Sequence, residues 1–432
     1  MPPRLGRTAG RDAGAVRAAA LTGTRRSRHP VRDLRGVGRL AVDATLGLTD
    51  LVEALHGRIA RAPVRLTGAT GDAVDRVTGQ VYRAIRGVTR AVGASMDAIL
   101  EQLAPLVREI PDTPRRDALV AALNGVLGDH LAATGNPLAI PMRLRRDGEA
   151  VDVVPDTLAA RVARPSTTLV VAVHGLCMSD RHWARDGNDH RVTLACALDA
   201  DVLSLHYNTG LHVSTNGREL AALLERLVDA WPGRVARLVV VGHSMGGLVA
   251  RSAAEYGARA THRWRGILES LVFLGTPHHG SPLERVGHGV DVLLEAVPYA
   301  APFARLGRVR SAGITDMRHG SVVDEDWQGR DRFAPGRSRR HPVSLPAGVA
   351  CHAIAGSLAA AVSADGRGMR GDGIVTIASA LGRHRDPRLD LALSPPNRWI
   401  AANTGHLALL SSGAVSERMV SVLARAGGAL RG

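Results

Sequence analysis

The sequence predicts an α/β fold: a mostly parallel sheet covered by helices on both faces, preceded by a helical N-terminal region. Three observations carry this. Short aliphatic runs recur at 168–173, 202–206, 238–241, 271–274 and 350–354. Helical patterns near 216–231 and 246–257 alternate with them, as parallel strands joined by crossover helices require. Upstream, residues 38–135 carry apolar stripes of helical period.

Taken in order, residues 1–37 are expected to be a disordered basic arm: residues 1–40 hold ten arginines against two aspartates. The arm lacks an apolar stretch of signal-peptide length. Within 38–135, Val74, Val77, Val81, Ile85, Val88, Val92, Met96, Ile99 and Leu103 form one stripe. Leu40, Leu48, Leu51, Leu55 and Ile59 form another, and Leu119, Leu123, Val126 and Leu131 a third. Arg76, Arg83, Arg86 and Arg90 share the face opposite the valines. Such a face is either the solvated side of a bundle or a surface that lies on lipid. Two of these helices are alternatively a clamp over the entrance of the following domain, residues 136–432. That domain opens with an expected hairpin, 142–146 and 150–153 around Asp147-Gly148. Residues 282–345 interrupt the strand–helix alternation, beginning with the apolar stretch Val290 to Phe303. This insertion is expected to be a lid or a fixed cap at the active-site edge.

Composition excludes some partners. The chain of 432 residues has a formal charge of +15, yet it contains no lysine, so all its basic residues beside histidine are arginine. With abundant alanine, glycine and valine, this pattern follows coding bias rather than a binding surface. Residues 41–140 are nearly neutral, with ten arginines against eleven acids. Aromatic residues make up 3% of the chain and do not alternate with basic clusters, so no stacking platform for nucleic acid is expected. Three cysteines, Cys177, Cys196 and Cys351, cannot all pair, which points to a reducing compartment. No apolar run reaches the roughly 18 residues of a membrane span. A cytoplasmic location is expected, with membrane-surface contact through the N-terminal helices as the alternative; oligomeric state is not legible.

The chemistry concentrates at four places. Leu238-Val-Val-Val-Gly242-His-Ser244-Met245-Gly246-Gly247 runs from a β-branched strand through a glycine-flanked serine into a helical segment. This is the strand–elbow–helix context of a nucleophilic serine. Val170-Val-Ala-Val-His174-Gly175-Leu176-Cys177 is an apolar strand entering a His-Gly turn. The Leu176 amide there, with the Met245 amide, is the expected oxyanion donor pair. Asp372, between Gly371 and Gly373, is the candidate acid, and His406, ahead of Leu407–Leu410, is the candidate base. Their order, Ser then Asp then His, is the one this kind of elbow uses. Asp324, Asp326, Asp331, Asp386 and Asp390 are competing acids. His174, Cys177, His243, Tyr207 and His278 border these turns and are expected to contact substrate; for Tyr207 a structural turn is an equal reading.

Together these segments resemble the α/β-hydrolase superfamily, within it the bacterial lipases grouped with relatives of glycosylphosphatidylinositol deacylases. Leu274-Gly-Thr-Pro-His-His-Gly-Ser281 is similar to their Gly-Thr-Pro-His-x-Gly-Ser signature, Asp372–Val375 to their acid-bearing segment, and Asn403–Leu410 to their histidine loop. The resemblance covers roughly residues 140–425. It implies an α/β-hydrolase fold and hydrolysis of carboxylic esters, lipid-derived acyl esters above all, through Ser244, His406 and Asp372. Calcium-dependent members carry an acid shortly after the histidine, where this chain has Leu407–Leu410. No metal or cofactor is therefore expected. Acyl transfer on the same scaffold is the alternative, as is a lipid- or granule-surface interaction protein with a vestigial site.

Overall fold

The computed structural model describes residues 33–43, 46, 83, 86–87, 90–91, 94, 114–281, 311–329, 340–360 and 371–429. In chain order its elements begin with α1 (Pro114–Ala133), β1 (Arg143–Arg146), β2 (Glu149–Val151), α2 (Pro155–Arg161) and β3 (Thr168–Val173). There follow β4 (Ala184–Arg185), β5 (Asn188–Asp189), α3 (His190–Leu198), β6 (Asp201–His206), α4 (Val213–Ala230), β7 (Arg237–His243), α5 (Met245–Arg259) and β8 (Leu268–Leu274). The remainder are α6 (Ala312–His319), β9 (Ala350–Gly356), α7 (Ile377–Ala380), β10 (Arg398–Ala401) and α8 (Gly413–Ala429).

Eight strands form one sheet in the order β10-β9-β8-β7-β3-β6-β1-β2. All neighbours are parallel except β6–β1 and β1–β2, which are antiparallel. Every residue of β3 is buried, and all but the first of β7. Helices cover both faces of such strands, so they read as unbroken aliphatic runs rather than alternating ones. α4 is amphipathic by contrast, burying Leu220, Leu223, Leu224 and Leu227 while Arg218 and Glu219 stay outward. Each such leucine contributes on the order of 1.5–3 kcal/mol through burial. Because β3 and β6 through β10 are parallel, their carboxyl ends share one edge, and the loops leaving it meet there.

The expected strands and hairpin are all present. β10 was not legible, since Arg398-Trp-Ile-Ala401 is only four residues long and half-buried except at its end. The described residues group into two compact units, one holding 114–130 and those from 140 onward, the other those between 33 and 94 together with 131–139. Residues 114–130 group with the sheet, on the far side of the expected boundary at 135/136. In this helix Leu123 and Val126 are buried as expected, whereas Leu119 is 44% exposed.

In the other unit, residues 33–43 are helical, a span that takes in 33–37 of the expected arm. Backbone contacts hold this span: Asn136 Nδ2 donates to the Gly36 carbonyl and Arg39 Nη1 to the Gly135 carbonyl, each at 3.0 Å. The valine stripe from Val74 to Leu103 lies outside the described residues, as do Val290–Phe303 and residues 1–32. No helix among the described residues is long and apolar enough to cross a membrane.

The described portion of the expected insertion is packed core. Asp316 accepts hydrogen bonds from the Val213 amide (2.8 Å) and His212 Nδ1 (2.9 Å). Trp327 stacks on His212 at 3.7 Å and donates to Ser214 Oγ at 2.9 Å. Ser252 Oγ donates to the Val322 carbonyl at 2.6 Å. Residues 311–329 thus pack on α4 and α5.

Candidate active site

Ser244 caps α5 at the end of β7 with φ 53° and ψ −123°. A non-glycine residue pays on the order of 1–3 kcal/mol for such a conformation. Two hydrogen bonds hold it, from the Ser244 amide to the Leu274 carbonyl (2.8 Å) and from the Gly247 amide to the Ser244 carbonyl (3.1 Å). The flanking glycines are steric requirements: a Cβ on Gly246 would stand 2.1 Å from the Val173 carbonyl oxygen, and one on Gly242 2.5 Å from Gly247 Cα. The Ser244 hydroxyl is buried, and its Oγ has no hydrogen-bond partner among the described residues.

Asp372 and His406 are brought together from the loops after β9 and β10. Asp372 Oδ2 lies 2.7 Å from His406 Nδ1, and both side chains are buried. The other carboxylate oxygen accepts the amides of Ile374 (3.0 Å) and Val375 (2.7 Å). The His406 amide also donates to the Asp372 carbonyl at 3.0 Å. A carboxylate accepts only, so the imidazole proton belongs on Nδ1 and Nε2 is left as an acceptor. That Nε2 has no partner among the described residues.

His243, beside the serine, packs its ring 4.8 Å from that of His406 and donates from Nε2 to the His406 carbonyl at 3.1 Å. Burial and the neighbouring His406 push its pKa well below the ordinary histidine value, so it stays neutral.

The turn after β3 lies against the serine: a Cβ on Gly175 would stand 3.1 Å from Ser244 Cβ. Cys177 has φ 58°, and its amide donates to Thr209 Oγ1 at 3.2 Å. Tyr207 donates its hydroxyl to the His174 carbonyl at 2.8 Å and stacks on the His174 ring at 4.6 Å. His174 Nδ1 lies 3.0 Å from the Gly175 carbonyl, and burial lowers its pKa to about 3. Burial likewise raises the Cys177 thiol to about 12. The Met245 amide opens α5, where helix amides lack partners within the helix and carry its positive end. Leu176 is buried between Gly175 and Cys177.

His174, Cys177, His243, Tyr207 and His278, the residues expected to contact substrate, also make contacts within the frame of the site. His278 stands edge-on to Phe273 at 4.7 Å, and its carbonyl accepts from Arg340 Nη1 at 2.8 Å. The rest of its turn ties down the acid loop: Ser281 Oγ donates to the Ile374 carbonyl (2.5 Å), and Ser379 links the His279 amide to the Gly280 carbonyl.

The competing acids are engaged elsewhere. Asp324 pairs with Arg218, Asp386 with Arg388, Asp326 accepts the Val322 and Val323 amides, and Asp390 the His384 amide. Asp331 lies outside the described residues. Among the described residues, no group of histidine, cysteine and acidic side chains is arranged to hold a metal ion.

Two supporting residues were missed. His190 reaches the Leu409 carbonyl (2.8 Å) and Ser416 Oγ (2.7 Å), bracing the chain after His406, and nothing local in the sequence marks it. Thr209 sits in the turn Tyr207–Gly210, beside Tyr207, and its hydroxyl holds the Cys177 amide.

Residues 165–345 match the model of the PGAP1-like alpha/beta domain, a match spanning less than half of the chain. No curated protein matches. Among solved structures the chain is similar to the mature form of Bacillus licheniformis lipase BlEst2, at 19% identity over 60% of this chain and 94% of that one, TM-score 0.38. It is also similar to the Pyrococcus furiosus esterase Pf2001, at 17% identity over 60% and 83%, TM-score 0.35. A hormone-sensitive lipase from a metagenome library is similar at 13% identity over 61% and 79%, TM-score 0.35. The chain thus joins a mostly parallel sheet and a serine elbow between β7 and α5 to a segment that matches the PGAP1-like alpha/beta domain.

Proposed function

We propose that this protein is a serine hydrolase of carboxylic esters, with Ser244 as nucleophile, His406 as general base and acid, and Asp372 as the orienting carboxylate. One observation carries the reading: the 2.7 Å His406–Asp372 pair leaves Nε2 unengaged in the same buried site as a strained, unengaged serine hydroxyl. A serine hydroxyl is a weak nucleophile without a base. In the proposed cycle Nε2 takes the Ser244 proton as Oγ attacks the ester carbonyl. The tetrahedral oxyanion is held by the Leu176 and Met245 amides; losing one such donor typically costs on the order of 10²–10³ in rate. His406 then protonates the leaving alcohol, and water hydrolyses the acyl-enzyme by the same steps in reverse roles. Asp372 keeps the productive tautomer and supports the transient imidazolium.

The substrate class follows from the surroundings. Leu176, Met178, Met245 and Leu409 are all buried about these turns, so an apolar acyl chain fits better than a charged one. We assign lipid-derived acyl esters on that basis. The test is a chain-length series of p-nitrophenyl esters on the wild type and Ser244→Ala. Turnover lost in the variant, with preference for longer acyl chains, is the expected result. Equal turnover in both proteins refutes the assignment of Ser244.

A further inference from the structure

We propose that α1 and the turn after β6 together set the oxyanion turn, with Gly125 and Thr209 as positioning residues for the Leu176 donor. This rests on the reading of Leu176 given above, but the contacts that motivate it are independent of the serine, histidine and aspartate.

The oxyanion turn is gripped from the outside. Cys177, the residue after Leu176, is buried in a left-handed conformation, φ 58°, without being glycine. Its amide is held by Thr209 Oγ1 at 3.2 Å. Its side chain and backbone lie directly against α1: a Cβ on Gly125 would stand 2.1 Å from Cys177 Sγ, 2.9 Å from its Cα and 3.0 Å from its nitrogen. Two of these atoms are backbone, so no change of rotamer at Cys177 relieves the contact. A helix interior ordinarily disfavours glycine by about 1 kcal/mol relative to alanine; here close approach requires it.

The turn after β6 is seated on the same helix. Asn208 Nδ2 donates to the Gly128 carbonyl at 2.8 Å, and a Cβ on Gly210 would stand 2.2 Å from the Asn124 carbonyl oxygen. α6 closes the arrangement: the Gly313 amide donates to the Gly210 carbonyl (3.0 Å), Ser311 Oγ to the Gly125 carbonyl (2.6 Å) and the Ala312 amide to Asp129 Oδ2 (3.0 Å). α1, α6 and residues 208–210 therefore form a closed set of contacts, and Thr209 transmits their position to Cys177. A shift of this set moves the peptide plane that carries the Leu176 amide, and oxyanion donors act only when aimed to within a few tenths of an ångström. Substrate binding does not require that aim, so the effect belongs to kcat.

The test compares Thr209→Val, Thr209→Ser and Gly125→Ala in the full chain. Thr209→Val keeps the shape and removes the acceptor; Thr209→Ser restores it. On a p-nitrophenyl ester, Thr209→Val and Gly125→Ala are expected to lower kcat by roughly 10- to 100-fold, part of the loss of a whole donor, with KM within about twofold. Thr209→Ser is expected to stay within about threefold of wild type. Amide hydrogen exchange over residues 172–182 is read in parallel, and should quicken in Thr209→Val and Gly125→Ala but not in Thr209→Ser. Unchanged exchange in Thr209→Val overturns the proposal, as does kcat unchanged where the wild type shows Ser244-dependent turnover. If the wild type shows no such turnover, the esterase reading fails, and the exchange measurement still decides whether Thr209 and Gly125 hold the turn. Should Gly125→Ala not fold, the Thr209 pair alone decides it.

Discussion

Replacing Asp372 with asparagine tests the candidate triad with the smallest change in shape, and the structure dictates how the amide will turn. Asp372 Oδ1 receives two backbone donors, Ile374 and Val375, while Oδ2 receives one, His406 Nδ1. An asparagine has one oxygen and one NH₂ group. If the NH₂ faced the two amides, three donors would meet with no acceptor, leaving buried groups unpaired at about 1–3 kcal/mol each. The oxygen will therefore take the Oδ1 position and the NH₂ will face His406. Nδ1 must then accept, its proton moves to Nε2, and the base is lost while the geometry is kept. The expected fall in kcat is about 10⁴, the size seen when an orienting aspartate is neutralised in a serine triad. KM should change little, since in the proposed cycle this carboxyl acts through His406. The assay is p-nitrophenyl ester turnover alongside thermal unfolding, with Asp386→Asn as a control at a half-buried acid paired with Arg388. A variant that folds like wild type and keeps kcat within tenfold would refute the roles assigned to both Asp372 and His406.

Three further outcomes are expected. Gly246→Ala should abolish turnover and destabilise the fold by about 1–3 kcal/mol, because its Cβ would meet the Val173 carbonyl at 2.1 Å; a stable, active variant in urea denaturation and ester assays contradicts this. Stability should fall in acid. Burial lowers the His174 pKa from 6.5 to about 3, so between those values the unfolded chain binds a proton that the folded one does not. Stability from this residue is full above pH 6.5 and is lost as pH drops, by about 1.4 kcal/mol per pH unit; a flat unfolding free energy from pH 7 to 5 rules it out. Arg145 bridges Asp117 (3.1 Å) and Asp180 (2.9 Å), all buried, so Arg145→Met should cost about 3–5 kcal/mol by stranding charge. An unchanged midpoint in urea shows the cluster to be dispensable.

The parts of this molecule that were legible in the sequence are those whose physics is local. A parallel strand buried on both faces needs an unbroken apolar run, so β3, β7 and β8 are visible as the runs 168–173, 238–241 and 271–274, within the observed Thr168–Val173, Arg237–His243 and Leu268–Leu274. The elbow is visible because its sharp turn demands Gly242 and Gly246 at fixed offsets from Ser244. The pairing of Asp372 with His406 rested on order along the chain, and a parallel sheet turns that order into proximity. What was hidden is non-local. Tyr207, His243 and His278 have the chemistry of ligand contacts, yet the carbonyls and rings they meet lie in other loops. Nothing local marks Gly125 of α1, whose role is to let Cys177 approach. Residues 33–37 carry the charge of an arm, and a turn about a hundred residues away gives them contacts.

Backbone conformation gives a second line to the same site, independent of residue chemistry. Eight non-glycine residues among those described have positive φ: Asp147, Cys177, Asp186, Asp199, Ser244, Thr261, Ala392 and Asn403. Six are exposed, and four of those six are Asp or Asn, which enter the left-handed region most readily. Asp147 and Asp186 precede glycines in hairpin turns, and Asp199 ends α3. Turn chemistry explains these. It does not explain the two that are buried, Ser244 and Cys177. Their neighbours are the ones proposed to donate to the oxyanion, Met245 and Leu176, at the ends of the paired strands β7 and β3. Strain of this kind persists only where surrounding contacts over-determine it. At Ser244 those contacts are the Leu274 carbonyl and the Gly247 amide; at Cys177 they are Thr209 and α1. Relaxing either residue would rotate the peptide next to it, so the strain and the aim of the two amides are one geometric fact.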